Sequence, residues 1–545
     1  MAEAEVNPQR VPRQGNLIKP SAEASDAELI RRSRSKTPAF KPAGWLAYTV
    51  LVLLTVASYS PIFLSGLAWS EYDQVERSPY QSMEVWTDSW LPEIIRAEDP
   101  ITLSSYFIEQ KIPFAQPATH HAINLLLHIT AAILLLKNLE ALKLSAAFSA
   151  ALVFALHPTA LQTIFWSGYR EELIGLILIL AALYFGIQNR NSKDFFLLTM
   201  ICVIAYISHP AALVLPLLLG LCIFYQNGSF KPIEYNRLLP LLCLALFVGV
   251  WTQGTSATTE LELGERFGIS AQNLYFYLKQ ALFPFESALF YPYDQTREFN
   301  VGATSNFLPF LLFIPLYILV AINFRKSWAR GLLLGLTAYL LLILYGLSQA
   351  GAFIDGSRAL EDHLQYVALP IITASVICLA GGIVHNISVK GKILWRLGFT
   401  LIVWIQVFIT VSYAYTLSDR AQMWYNLSEQ WPDSVLPKYA LIDTIERSGG
   451  VSNILNRNET IEIIEDILDQ QPDSIELRKK LARIYRNEGQ STNALRQYKR
   501  ILRDSEPNNE FLLEAAELYD RLGLSWDAKN ARGRITQKTH PIIIL

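Results

Sequence analysis

Residues 44–67 read GWLAYTVLVLLTVASYSPIFLSGL, a run with no charged side chain. A helix rising 1.5 Å per residue crosses the ~30 Å hydrocarbon core of a bilayer in about twenty residues, so this stretch is long enough to span. No small-residue cleavage site follows that would make it a clear signal peptide. It therefore reads as a retained first span. Residues 1–43 before it contain Pro, Ser and Arg without periodicity and end in a basic patch of Arg31, Arg32, Arg34, Lys36 and Lys41. That is the composition of a disordered cytoplasmic tail.

The whole chain fits the same class. It has 545 residues, 52% hydrophobic and 17% charged, with a formal net charge of −2. This is the balance of a multi-pass membrane protein with a soluble appendage, and nothing global points to nucleic acid. Cys202, Cys222, Cys243 and Cys378 all lie in apolar runs and read as small buried hydrophobes rather than as a disulfide framework or CxxC metal site. Further spans are expected to begin near His121, Leu144, Glu172, Phe195, Ala211, Arg237, Asn306, Arg330, Val367 and Leu394, about eleven in all. With the N-terminus inside, the loops holding Lys137 and Lys143, Arg190 and Lys193, Lys231 and Arg237, Arg325 to Arg330, and Lys390 to Arg396 are all cytoplasmic, and each is basic as orientation requires. Connections 67–120, 159–171, 254–305 and 350–366 then share the outer face, and so does everything after the last span.

The first outer connection is acidic, with Glu71 and Asp73 close behind the first span. Carboxylates held at a membrane surface suit a base or metal ligand acting on a lipid-borne substrate, although a solvated loop is acidic for no further reason. His121, Asn124 and His128 follow at i, i+3, i+7 and share a helix face, either as a functional stripe or as interhelical glue. Two outward runs end in His157-Pro158 and His209-Pro210, where proline stops the helix. His120 and His363 lie at the same level, each readable as an interfacial polar group. No HxxxH or HExxH spacing supports a histidine zinc site. Arg170, ahead of Glu171 and Glu172, is suited to a lipid phosphate through its planar fork, the alternatives being snorkelling or an ion pair with Glu172. Residues 271–293, AQNLYFYLKQALFPFESALFYPY, read as aromatic and interfacial, and ALEDHLQYVALP brings Glu361, Asp362, His363 and Tyr366 to the head of the tenth span.

The chain becomes soluble in character after about Leu417. Ala482, Tyr485, Gly489 and Ala494 recur thirty-four positions on as Ala516, Tyr519, Gly523 and Ala528, with Pro472 and Pro507 closing the preceding units. This period and these positions resemble tetratricopeptide repeats. A weaker unit falls at 439–472.

Taken together, PATHHAINLLLHI, FALHPTALQTIFWSGYREELIGL, NLYFYLKQALFP, LEDHLQYVALP and DRAQMWYNLSEQWPDS with the repeats resemble the transmembrane and tetratricopeptide-repeat O-mannosyltransferase-like proteins, of the GT-C class of lipid-dependent glycosyltransferases. The resemblance runs from Gly44 onward. It implies an all-α fold: a helix bundle over 44–417 and an extracytoplasmic repeat solenoid over 418–545. It also implies transfer of a sugar from a polyprenyl-phosphate donor to a protein hydroxyl on the outer face of a membrane, here a bacterial inner membrane. Asp73 would be the base and Glu71 its helper or, with it, the holder of a divalent cation. Arg170, His121, Asn124, His128, Glu172, His363 and Tyr366 would bind the donor, and an acceptor protein would be met by the repeats. Tyr72 and Gln162 depart from the pattern, standing where acids are usual. A membrane-anchored repeat scaffold without catalysis is the second reading. A transporter fits less well, since the spans show no internal repeat.

Overall fold

The computed structural model describes residues 44–65, 83–91, 99–112, 117–188, 192–227, 236–252, 263–285, 288, 291–292, 308–349, 353–354, 357–385, 388–447, 454–504 and 508–535. Helix α1 (Trp45–Tyr59) runs into a 3-10 turn at Ser60–Leu64, and α2 (Met83–Asp88) and α3 (Pro100–Glu109) follow. Asp99 caps α3, its carboxylate accepting from the Ile101 amide at 2.9 Å, with Pro100 at the first helical position. Then come α4 (Pro117–Ala141), α5 (Ala147–Ala155), α6 (Ala160–Phe165), α7 (Arg170–Gln188), α8 (Ser192–Ser208), a 3-10 turn at Pro210–Val214, α9 (Leu215–Asn227), α10 (Leu239–Thr252) and α11 (Leu263–Leu282). After strand β1 (Tyr291–Pro292) stand α12 (Leu308–Ile322), α13 (Ser327–Gln349), strands β2 (Phe353–Ile354) and β3 (Ser357–Leu360), a 3-10 turn at Asp362–Gln365, α14 (Leu369–His385) and α15 (Val389–Ser418). The chain closes with α16 (Arg420–Gln430), α17 (Val435–Arg447), α18 (Arg457–Gln470), α19 (Ile475–Asn487), α20 (Ser491–Asp504), α21 (Asn509–Arg521) and α22 (Ser525–Gly533).

Among the described residues a helix stands at each of the eleven expected span positions. Six of these are long and apolar enough to cross a membrane: Trp45–Leu64, Ala118–Ala141, Arg170–Gln188, Pro210–Asn227, Trp328–Leu347 and Val389–Ser418. The other five fall short. The third is broken, because α5 stops after nine residues where His157-Pro158 turns the chain into α6. Outward-facing apolar side chains such as Trp404, Phe408, Phe247 and Val250 are 62–77% exposed, which only a lipid surround makes tolerable on this scale. Cys243 belongs to this set: it is exposed on apolar α10, not buried as its sequence surroundings imply, because the helix shows that face to lipid.

Helix α4 packs on α7 and α5, α7 on α8, and α13 on α14, forming one buried core. The fold departs from all-α in one place. Strand β3 pairs antiparallel with both β1 and β2, and this three-stranded patch holds connection 350–366 against the end of the third outer connection. The turn after β3 sits so close to α13 that a Cβ on Gly346 would stand 2.2 Å from the Leu364 carbonyl oxygen. Only glycine fits there.

In the C-terminal region α19–α20 and α21–α22 form helical hairpins, and Gly489 and Gly523, thirty-four residues apart, take the same left-handed φ of 72° where α19 and α21 end. Ala482, Ala494, Ala516 and Ala528 are fully buried between the helices. The apolar core of the bundle does not stop at residue 418, where the sequence suggests a boundary. It continues through Met423, Trp424, Leu427, Leu436, Leu441, Ile445 and Leu455, and a second core begins at Ile442 and Ile461.

Candidate functional site

Arg170 opens α7 and is fully buried. Its Nε donates to Asn124 Oδ1 at 2.8 Å, and Nη1 donates to Glu109 Oε2 at 2.6 Å and Ser105 Oγ at 3.3 Å. Tyr106 lies under the guanidinium, 4.5 Å from ring centroid to Cζ. Nη2 has no hydrogen-bond partner among the described residues. An arginine at this depth needs its charge met, and the answer comes from α3: Glu109 is 1% exposed, and its other oxygen lies 2.9 Å from His120 Nδ1. Burial raises the Glu109 pKa, but His120 and the Arg170 charge outweigh it and hold the carboxyl below its ordinary range. The carboxyl is therefore ionised at neutral pH, and among the described residues one guanidinium nitrogen is left to engage an anion.

The expected stripe on α4 does three different things. His121 Nε2 lies 3.2 Å from Ser65 Oγ, whose own proton goes to the Ile62 carbonyl, so the ring donates; it also stacks on Phe165. Asn124 bridges, taking the Arg170 bond and giving its amide to Ile164 O at 3.2 Å. His128 donates from Nε2 to Ala155 O at 3.1 Å, leaving Nδ1 to accept from the Tyr366 hydroxyl at 2.8 Å. Both ring nitrogens are thereby used in a neutral tautomer, which fastens α4 to α5 and to the start of α14. His157 is used the same way, between Ala281 O and Thr159.

Glu172 does not pair with Arg170. Its carboxylate lies 3.1 Å from Nε2 of His209, whose Nδ1 accepts the Ala211 amide and so leaves the proton on the side facing Glu172. Gly175 permits this approach, since a Cβ there would stand 2.7 Å from the His209 side chain.

A second buried polar cluster surrounds the turn at 361–366. Glu361 accepts from the Tyr169 hydroxyl at 3.0 Å and lies 3.2 Å from His363 Nδ1, and the His363 ring stacks on Tyr169 with centroids 3.7 Å apart. Asp362 accepts from Tyr291 at 2.9 Å, and Tyr291 accepts from Gln280 at 2.7 Å. Gln162, standing where an acid is usual, accepts the His363 amide at 2.8 Å and so ties the turn to α6. Burial is the main cause that pushes Asp362 up to about 8, with Glu361 adding to it against the Tyr291 and Gln365 bonds; Glu361 is raised by burial too. Tyr169 links the clusters through the chain, since Arg170 is the next residue.

Glu71 and Asp73 lie outside the described residues, so of the expected donor set the structure joins Arg170 with Asn124, His128 with Tyr366, and Glu172 with His209, while His121 and His363 serve other neighbours. Among the described residues no group of three or more His, Cys, Asp or Glu side chains is placed to hold a metal ion. Glu109 and Tyr169 are site residues that sequence reading passed over. The signal for Glu109 was faint: one of several acids in an acidic loop, spaced 61 positions from its arginine.

No protein-family model matches the chain, and no curated protein does. Among solved structures it is similar to the cryo-EM structure of arabinofuranosyltransferase AftD from mycobacteria, at 15% identity and a TM-score of 0.37, over 69% of this chain and 27% of that one. The chain thus spans about a quarter of that protein's length. A likeness at this level carries no argument about what the chain does. The fold and site define a helical membrane protein with a charged polar cluster buried at the ends of its spans.

Proposed function

We propose that the protein is a GT-C-like membrane glycosyltransferase that moves a sugar from a polyprenyl-phosphate donor to a protein hydroxyl on the extracytoplasmic face. The observation that carries this reading is Arg170: fully buried, fixed by Asn124 and Glu109, set at the first residue of a span-length helix, with Nη2 lacking a hydrogen-bond partner among the described residues. A lipid phosphate at the membrane boundary meets that nitrogen and the α7 N-terminus, whose dipole also favours an anion. Glu109 already holds the rest of the fork, so the phosphate is bound through one guanidinium nitrogen and not two.

In the reaction, the acceptor oxygen bonds to the anomeric carbon as the bond from that carbon to the phosphate oxygen breaks. Asp73, assisted by Glu71, takes the hydroxyl proton, and Arg170 stabilises the phosphate that leaves. General-base help of this kind is worth on the order of 10²–10⁴ in rate. The test is transfer by the purified full chain from a synthetic polyprenyl-phosphate sugar to a serine- and threonine-containing peptide. Asp73→Asn is expected to abolish it and Arg170→Lys to reduce it at least tenfold, both with normal folding. Undiminished transfer in both variants would remove these two residues from the mechanism, and absence of transfer by the unaltered chain would discard the reading.

The scaffold reading also has an observation in its favour. A groove of about 330 Å³ lies on the last two hairpins, lined by Lys499, Arg503, Tyr519, Asp527, Asn530 and Arg534. Its mixed basic and aromatic lining suits an acidic peptide segment. Loss of peptide capture on deleting residues 439–545, with Asp73→Asn silent, would favour it.

A further inference from the structure

Helix α11 carries polar residues on its buried face. Asn273, Tyr277 and Gln280 stand at i, i+4 and i+7, so they share one side of the helix, and all are at most 1% exposed. The helix packs on α12, α13 and α14. Both amide atoms of Asn273 and the hydroxyl of Tyr277 lack hydrogen-bond partners among the described residues, as do the hydroxyl of Tyr339 on α13 and Oε1 of Gln365. Tyr277 lies within electrostatic reach of Asp362, Glu361 and Tyr339, and Gln365 Nε2 is 3.5 Å from Asp362 Oδ1, so these groups belong to one patch.

An unpaired buried polar group is costly, and several in one patch are not explained by packing. Their chemistry narrows what would answer them. The Asn273 and Gln365 carbonyl oxygens need donors, while the Asn273 amide nitrogen needs an acceptor. A cation would meet only the oxygens, and an anion only the donors. A hydroxyl both donates and accepts. Tyrosine rings add flat faces suited to the C–H side of a sugar ring.

We infer that the patch formed by Asn273, Tyr277, Tyr339 and Gln365 beside Asp362 binds a polyhydroxylated ring, the hexose or pentose of the donor. The inference rests on the transfer reading for the ligand's origin, but binding is measured without turnover. The patch is packed shut, so the ring enters as α11 shifts away from α13.

The full chain in lipid–detergent micelles is melted with increasing methyl glycosides of several hexoses and pentoses, with sorbitol controlling for general polyol stabilisation. At least one glycoside should raise the wild-type midpoint beyond sorbitol. Tyr277→Phe and Asn273→Leu should each weaken that glycoside roughly tenfold or more, because a site built to bond a hydroxyl loses most when one bond is removed. Without ligand, the same variants should melt no lower than wild type, since they delete orphaned polar atoms. Glycoside binding absent, or indifferent to both variants, would overturn the inference and leave internal water as the occupant. Polyprenyl phosphate is titrated in parallel. If glycosides bind through Asn273 and Tyr277 while polyprenyl phosphate does not bind, the transfer reading fails and the sugar seat stands. If transfer proceeds with wild-type kinetics in both variants, the sugar seat alone fails.

Discussion

Ion pairs occur in two settings in this molecule. In the bundle, Arg170 and Glu109 meet at 0% and 1% exposure, and His209 and Glu172 at 1% and 2%. In the helical hairpins, Arg457 meets Glu488 at 65% and 30%, and Arg532 meets Asp520 at 50% and 45%. The chemistry of attraction is the same, but its worth is not. An exposed pair gains little over water, whereas a buried one must be complete, because losing one partner strands a charge in a low-dielectric interior. Charges kept where they are costly are the ones to connect with function.

Four substitutions sharpen or break that contrast. Arg170→Ala should have the largest effect, about 3–5 kcal/mol of lost stability, because Glu109 then stays buried with only His120; a melting midpoint near wild type would show that water reaches the pair. Asp362→Asn comes next. The folded pKa of about 8 stands above the ordinary 3.8, so the native state holds this proton more tightly. Its stabilising contribution is complete below pH 3.8 and is lost as pH rises through about 8, with a slope of at most ~1.4 kcal/mol per pH unit. Melting across that window should therefore flatten in the variant, and an unchanged slope would mean that Asp362 is solvated. Gly175→Ala drives a Cβ into His209 and should cost about 1–3 kcal/mol. A double variant with His209→Ala should recover part of the steric loss, which a thermodynamic cycle would measure. Arg457→Ala, in the exposed set, should stay within roughly 1 kcal/mol of wild type. A larger loss there would erase the distinction.

The sequence made some of this legible for identifiable reasons. Helix positions follow from apolar runs such as 44–67, whose length has a direct physical meaning. Helix lengths were only partly legible: the stop at His157-Pro158 could be read, but the left-handed Ala146 that delays the start of α5 could not. The thirty-four-residue recurrence of Tyr485, Gly489 and Ala494 was readable because hairpin packing constrains composition locally. Arg170 stood out as a lone cation at a span's start, and Asn124 as a polar residue in an apolar run. Their meeting, and the arrival of Glu109, depend on how α3 folds against α7, which no local pattern encodes. The same holds for Tyr291 reaching Asp362 from 71 residues away. Gln162 looked like a lost acid, yet its carbonyl takes a backbone amide that the turn at 361–366 would otherwise leave unmet. Cys243 shows the opposite error, since apolar neighbours imply burial only where the solvent is water.

The bundle core runs on into α16 and α17, and the Trp431 ring meets Tyr291 edge-on at 6.3 Å. The hairpins are thus mounted on a bracket instead of hanging from a string. Under the proposed function, an acceptor polypeptide held by them would be presented at a fixed height and bearing, and selectivity among its hydroxyls would be set by rigid distance rather than by the composition of the segment held.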